Sequence, residues 1–143
     1  MSIESQKEAS RRLYVEVFGT GNFAAADEIL APGVISHAAD SPPRVGTDGI
    51  KQQAALLRTA MPDLTSTCED QIAEGDRVVS RWLGRGTHTG PLTLPTGTIE
   101  PTGRKVAFGE IRIDRFENGR IVESWFIPDR LSLWQQLGIL PRP

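Results

Sequence analysis

Reactive side chains are scarce in this chain. It holds 2 histidines and 1 cysteine in 143 residues, so most groups able to move protons are carboxylates. Glu110 and Arg112 stand two apart in an otherwise apolar run. In a strand that spacing puts both on one face. Opposite charges on a half-apolar face need partners, because an unpaired buried charge is costly. The pair therefore lines an internal cavity, or it joins a cross-strand network on a solvent or oligomer face, with Asp114 beside Arg112. Asp129 follows Pro128 and precedes Leu131, Leu133, Trp134 and Leu137. It reads as a general base raised in pKa by apolar neighbours. It also reads as a helix N-cap that accepts from the N–H of Leu131 or Ser132. His37 follows Val34-Ile35 and is a catalytic or ligand-binding candidate as well as a structural histidine. His88 shares strand parity with Ser80, Trp82, Gly84 and Gly86. Small residues beside a tryptophan either open a cavity wall or permit close packing.

Other chemistries lack their spacing. The histidines and carboxylates show no metal-ligand pattern. Gly84-x-Gly86 with Gly90 runs into Pro91 instead of a helix, so it offers no pyrophosphate site. Neither a nucleophile elbow nor a Ser-His-Asp order is present.

The elements that must position these residues fall into two halves. Ser2 to Phe18 reads as a helix with i,i+4 pairs Leu13/Val17 and Tyr14/Phe18. Ser5 and Glu8 fit a capping box. A short helix spans Phe23 to Leu30, capped by Asn22 and stopped by Pro32-Gly33. A third runs from Thr47 or Asp48 to Met61, with the stripe Ile50, Ala54, Leu57 and Met61. Strands follow at Leu64–Ala73, Arg77–Thr89, Lys105–Phe116 and Ile121–Ile127. The loop Gly90–Gly103 is long enough to be a functional lid. Asn118-Gly119 predicts a type I′ hairpin turn. With that turn, Phe116 faces Ile121, Arg112 faces Trp125 and Glu110 faces Ile127. Glu110, Arg112 and Trp125 would then share a face, with Phe126, Ile111, Ile113 and Ser124 opposite unless a bulge shifts the phase. A last helix runs from Pro128-Asp129 to Leu137 and stops at Gly138. Helices first and strands afterwards imply an α+β fold.

Composition narrows the class. The formal net charge is −2, far from the basic footprint of a nucleic-acid binder. No stretch approaches a membrane-spanning apolar run. The polar start Met1-Ser2-Ile3-Glu4-Ser5 lacks a signal-peptide core. Cys68 alone forms no internal disulfide. The expectation is one cytoplasmic domain over residues 1–143.

Several stretches, in order, resemble the SnoaL-like polyketide cyclase family of the nuclear-transport-factor-2-like superfamily. They include Gly21-Asn22-Phe23, Leu30-Ala31-Pro32, Met61-Pro62-Asp63-Leu64 and Glu74-Gly75-Asp76-Arg77-Val78. Gly86-Thr87-His88-Thr89-Gly90, Pro101-Thr102-Gly103-Arg104, Arg115 to Ile121, Trp125, Asp129 and Gln136-Leu137-Gly138 follow. The resemblance implies a curved antiparallel sheet, a cone-shaped half-barrel closed by the N-terminal helices around a hydrophobic cavity. It implies no cofactor, a small hydrophobic ligand, and a homodimer or homotetramer. In the cyclases the acid/base aspartate directly follows the position matched by Trp125, and here that residue is Phe126. A phenyl ring takes no proton from carbon. Glu110 and Arg112 match positions where those cyclases place glutamine and histidine, and Ser36 or His37 matches a polar cavity residue. Related epoxide hydrolases use an Asp-Arg-Asp arrangement, which Arg112-Ile113-Asp114 partly spells.

Two functions are open at this level. One is a cofactor-independent acid/base enzyme acting on a small, oxygenated, polyketide-like molecule by cyclisation, isomerisation, hydroxylation or hydrolysis. Asp129 would be its base, Arg112 and His37 would polarise an oxygen, and Glu110, Trp125, Phe126, His88 and Trp82 would line the site. The other is a non-catalytic binding or scaffolding domain of the same fold. An open cavity lined by the polar residues favours the first, and one filled by Phe126, Trp82 and Phe108 favours the second.

Overall fold

The computed structural model describes residues 1–94 and 96–141. Helix α1 (Ile3–Arg12) is capped by Ser2, whose hydroxyl accepts from the Ser5 N–H at 3.1 Å. Ser2 and not Ser5 is therefore the cap, and Glu8 turns outward to Arg11. The chain continues as a π-helical segment, Leu13–Phe18, that buries Leu13, Tyr14, Val17 and Phe18. Such wide turns often mark functional sites. Helix α2 (Ala24–Ile29) starts without a side-chain cap. Helix α3 (Thr47–Ala60) buries Ile50 and Ala54, as its stripe requires.

The sheet contains strands β1 (Leu30–Ala38), β2 (Arg44–Val45), β3 (Thr65–Glu74), β4 (Arg77–Thr87), β7 (Lys105–Glu117) and β8 (Arg120–Pro128). Their order is β2-β1-β8-β7-β4-β3. The α+β class stands, and the sheet is curved without closing into a barrel. It is mixed, because β1 leaves α2 running parallel to β8, whereas every other neighbour is antiparallel. Strand β1 runs through Pro32-Gly33, where the residues predict a helix stop and no strand. A bulge between Leu30 and Ile35 accommodates that dipeptide, and Val34 and Ser36 beyond it alternate inward. Further irregularities at Cys68/Asp70 and Arg115/Phe116 bend the sheet.

The predicted turn forms, with Asn118 at φ 52 and Gly119 at φ 79. Phe116 does face Ile121. The bulge at Arg115/Phe116 then changes the phase. Arg112 faces Phe126, Glu110 faces Pro128, and Trp125 faces Ile113. The facing of Arg112 with Trp125 and of Glu110 with Ile127 is thus corrected by one residue. Phe126 joins Glu110 and Arg112 on the concave side, and Trp125 moves to the convex side.

The long loop contains a small hairpin, β5 (Leu92–Leu94) with β6 (Gly97–Ile99). Helix α4 (Arg130–Gln136) lies across one end of the concave face. The Gln136 side chain mimics a strand there, accepting from the Ala107 N–H at 2.8 Å and donating to the Ala107 carbonyl at 2.7 Å. No helix of the described residues is long and apolar enough to cross a membrane.

Candidate active site

The concave face is apolar at its ends and polar in the middle. Tyr14 and Phe18 stack with ring centroids 5.0 Å apart, and Tyr14 also leans on Trp82 at 4.7 Å. Between these rings, α3, the β5–β6 hairpin and α4 lie two adjoining chambers that share wall residues. The outer one is about 130 Å³ and opens between Arg44, Asp129 and Arg130. The inner one is about 30 Å³ and is walled by Tyr14, Trp82, Ser66 and Phe108. Gln53, Leu57, Phe108 and Glu110 belong to both walls. Thirty cubic ångströms is roughly the room of one water-sized group.

Glu110 heads a buried charge array. Arg112 is 2% exposed and Asp114 1% exposed. The Arg112 Nε donates to Asp114 Oδ1 at 3.2 Å, and its Nη1 lies 3.5 Å from Glu110 Oε1. Ser10 and Ser124 hydroxyls donate to Asp114 at 2.9 and 2.6 Å. The guanidinium lies 4.7 Å from the Tyr14 ring and 5.1 Å from the Phe126 ring, and the quadrupoles of both aromatic faces favour the cation. Burial opposes the charge on Arg112, but the surrounding Tyr14, Asp114 and Glu110 more than offset it, so its pKa lies above the ordinary value. Arg112 is a fixed cation.

Glu110 itself is different. Its side chain keeps 16% exposure. The Tyr14 hydroxyl donates to its Oε1 at 3.1 Å. Tyr14 and Arg112 both address Oε1, which leaves Oε2 without a protein donor among the described residues. Burial pushes the Glu110 carboxyl above the usual carboxylate range, with Arg112 and Tyr14 pulling against it. Burial also holds the Tyr14 phenol well above its ordinary pKa. Tyr14 therefore stays a donor, and Glu110 is a partly exposed carboxyl with a raised pKa at the cavity wall.

The remaining candidates are placed as follows. Asp129 caps α4, its Oδ1 accepting from the Ser132 N–H at 3.1 Å, and it stands exposed at the cavity mouth. The N-cap reading therefore describes its bond, and Asp129 also lines the outer chamber. Phe126 is buried and lines the outer chamber without filling it. Trp82 lines the inner chamber. His37 and Trp125 are on the convex face, away from Arg112. His37 Nε2 meets Glu123 at 2.8 Å, and its ring stacks on Trp125 at 5.5 Å. His88 is buried beneath the loop that follows β6, where its Nδ1 accepts from the Thr102 N–H at 3.2 Å. It lines neither chamber. Its neighbours Gly84 and Gly86 serve close packing, since Phe108 and Met61 occupy the space a Cβ would need. Tyr14 and Gln53 were not expected in the site. Tyr14 sits in an ordinary apolar helical stripe, and nothing in the sequence sets it apart from core. A wider depression of about 1000 Å³ lies open on the convex face over Leu83, Ile111 and Ile127.

The fold and site together define a cavity protein: a curved sheet under helices, with a carboxyl raised in pKa in a mostly apolar wall. A family model for SnoaL-like polyketide cyclases matches residues 8–137. The chain belongs to that family. None of the curated proteins matches it. Among solved structures it is similar to TsrD from Streptomyces laurentii, at 26% identity and TM-score 0.84, covering 98% of this chain and 99% of that one. It is also similar to IdmH from Streptomyces antibioticus, a proposed polyketide cyclase, at 30% identity and TM-score 0.78, covering 93% and 98%. A third, from Acidithiobacillus ferrooxidans and also a proposed polyketide cyclase, is 31% identical with TM-score 0.79, covering 96% and 98%.

Proposed function

We propose that this protein is an acid/base enzyme that works without a cofactor on a small, oxygenated, hydrophobic ketone, and that Glu110 is its proton-transfer group. The observation that carries the reading is a carboxyl raised in pKa that lines both chambers, with an Oε2 that has no protein donor among the described residues. Its family and its likeness to IdmH favour ring closure of a polyketide-like molecule. Glu110 takes a proton from carbon next to a carbonyl. The resulting enolate carbon attacks a second carbonyl of the same molecule, and the new alkoxide takes the proton back. Arg112 and Tyr14 fix the carboxylate and do not touch the reacting carbon. Phe126 supplies the face on which Arg112 rests, so the missing aspartate at that position is replaced in function from the neighbouring strand. Asp129 and Arg130 stand at the mouth, where the ligand enters.

The test uses 2-tetralone, whose C1 protons are acidic. The protein should catalyse exchange of these protons for deuterium in D2O. Glu110→Gln should abolish the exchange, and Asp129→Asn should retain it. Exchange that persists in Glu110→Gln overturns the assignment. Binding of the ketone with no exchange by the native protein would leave a non-catalytic binding domain. The convex sheet face exposes Ile111 at 52% and Ile127 at 66%, which supports a homodimer through that face. Light scattering should give the dimer mass, and Ile111→Lys should give the monomer.

A further inference from the structure

The inner chamber contains polar groups that the fold itself does not satisfy. Trp82 is 3% exposed, and its indole Nε1 has no hydrogen-bond partner among the described residues. Buried indole N–H groups usually find an acceptor. Gln53 reaches both chambers from α3, and its amide makes no side-chain hydrogen bond among the described residues. Glu110 forms the third polar side. Residues that carry an unpaired donor, an amide and a carboxylate thus line a space for about one oxygen-sized group. Apart from the Ser66 hydroxyl, a further polar group, and Gly84, the rest of this wall (Tyr14, Phe18, Leu57, Leu64 and Phe108) is apolar or already engaged.

We infer that the inner chamber is an oxygen subsite: Trp82 Nε1–H and the Gln53 amide donate to the carbonyl oxygen of the bound ketone. This deepens the cavity reading and rests on the ketone entering there. The carbonyl oxygen enters the narrow chamber, and the carbon skeleton stays in the outer one. The α-carbon then lies at the boundary, where Glu110 belongs to both walls. When the proton leaves carbon, negative charge grows on that oxygen, and two preset donors in a water-poor chamber stabilise it. The ligand class follows from the donors. It is a ketone or enol with a compact oxygen at one end, because a hydrocarbon end would leave both donors unpaired.

The experiment separates this subsite from the proton transfer by using a ketone that cannot enolise, 2,2-dimethylindan-1-one labelled with 13C at the carbonyl. On binding, its carbonyl resonance should move downfield as it accepts hydrogen bonds. Trp82→Phe keeps an aromatic ring against Tyr14, removes the N–H and leaves unfilled the space of the indole's second ring. It should reduce that shift and weaken binding about three- to tenfold, the worth of one hydrogen bond. The unliganded Trp82→Phe protein should melt lower because the smaller ring leaves a buried cavity, so the carbonyl shift and not Tm reads the lost donor. Gln53→Leu should weaken binding in the same way and serves as a second variant should Trp82→Phe not fold. An unchanged carbonyl shift and affinity in both variants overturns the subsite, as does failure of the native protein to bind the ketone. Because this ketone cannot enolise, its binding reads the subsite without proton transfer, and deuterium exchange of 2-tetralone that persists in Glu110→Gln would overturn the base without touching the subsite.

Discussion

Asp114 holds the site together, and its removal should cost more stability than any other single change at the cavity. Its carboxylate is 1% exposed and accepts from Arg112 at 3.2 Å, Ser10 at 2.9 Å and Ser124 at 2.6 Å. Asp114→Ala leaves a buried guanidinium with Glu110, at 3.5 Å, as its remaining carboxylate neighbour, and it strands two buried hydroxyls. Breaking a buried ion pair from one side typically costs about 3–5 kcal/mol. In a domain of this size each kcal/mol moves Tm by about 3–4 °C, so the drop should be roughly 10–20 °C. Asp114→Asn keeps the volume and part of the hydrogen bonding, and it should fall between the alanine variant and the native protein. Circular-dichroism melts at pH 7 and urea unfolding measure both. A drop of under about 2 °C for Asp114→Ala would refute the reasoning, since it would mean that Arg112 does not depend on this carboxylate.

Three further outcomes follow from the same contacts. Glu110 has a raised native pKa, so the native state holds its proton to higher pH than the unfolded chain, and stability declines as pH rises through that window. Glu110→Gln should therefore melt close to the native protein at pH 4 and above it at pH 7, and a lower melt at pH 7 would show that the Arg112 ion pair outweighs the burial. Asp63 accepts from the Thr87 N–H and hydroxyl, each at 2.7 Å, and these bonds lower its pKa. Its contribution is present above the unfolded pKa and is lost as pH falls through the native one. The Tm gap between native protein and Asp63→Ala should accordingly close in acid. A Cβ at Gly90 would overlap the Thr59 carbonyl oxygen. Gly90→Ala should cost about 1–3 kcal/mol as overpacking, seen as a Tm several degrees lower.

Much of the architecture is legible in the residues because periodicity is local. The helical stripe of α3, the turn at Asn118-Gly119 and the long strands around it need no tertiary information. Strand β1 was hidden because Pro32-Gly33 is ordinary loop chemistry, and only pairing with β8 makes the segment a strand. The site was legible in part. The shared face of Glu110 and Arg112 follows from spacing, but Phe126 and Trp125 exchanged faces because one bulge at Arg115/Phe116 moved the register by a residue. A single-residue slip is invisible to hydrophobic pattern where both alternatives are aromatic. Asp114 reads as a near-turn surface charge, and its burial depends on Ser10 arriving from α1. Tyr14 and Gln53 enter the cavity only through helix packing.

Proton exchange by Glu110 has its own pH signature. The most direct measurement is the pH dependence of 2-tetralone deuterium exchange beside a 13C titration of the Glu110 carboxyl in the same protein. A base must be ionised, so the rate should rise with pH and level off at the carboxyl's own midpoint, which should lie above its ordinary value of 4.5. A Glu110 midpoint at or below that value, or a rate curve whose inflection survives in Glu110→Gln, would contradict the account.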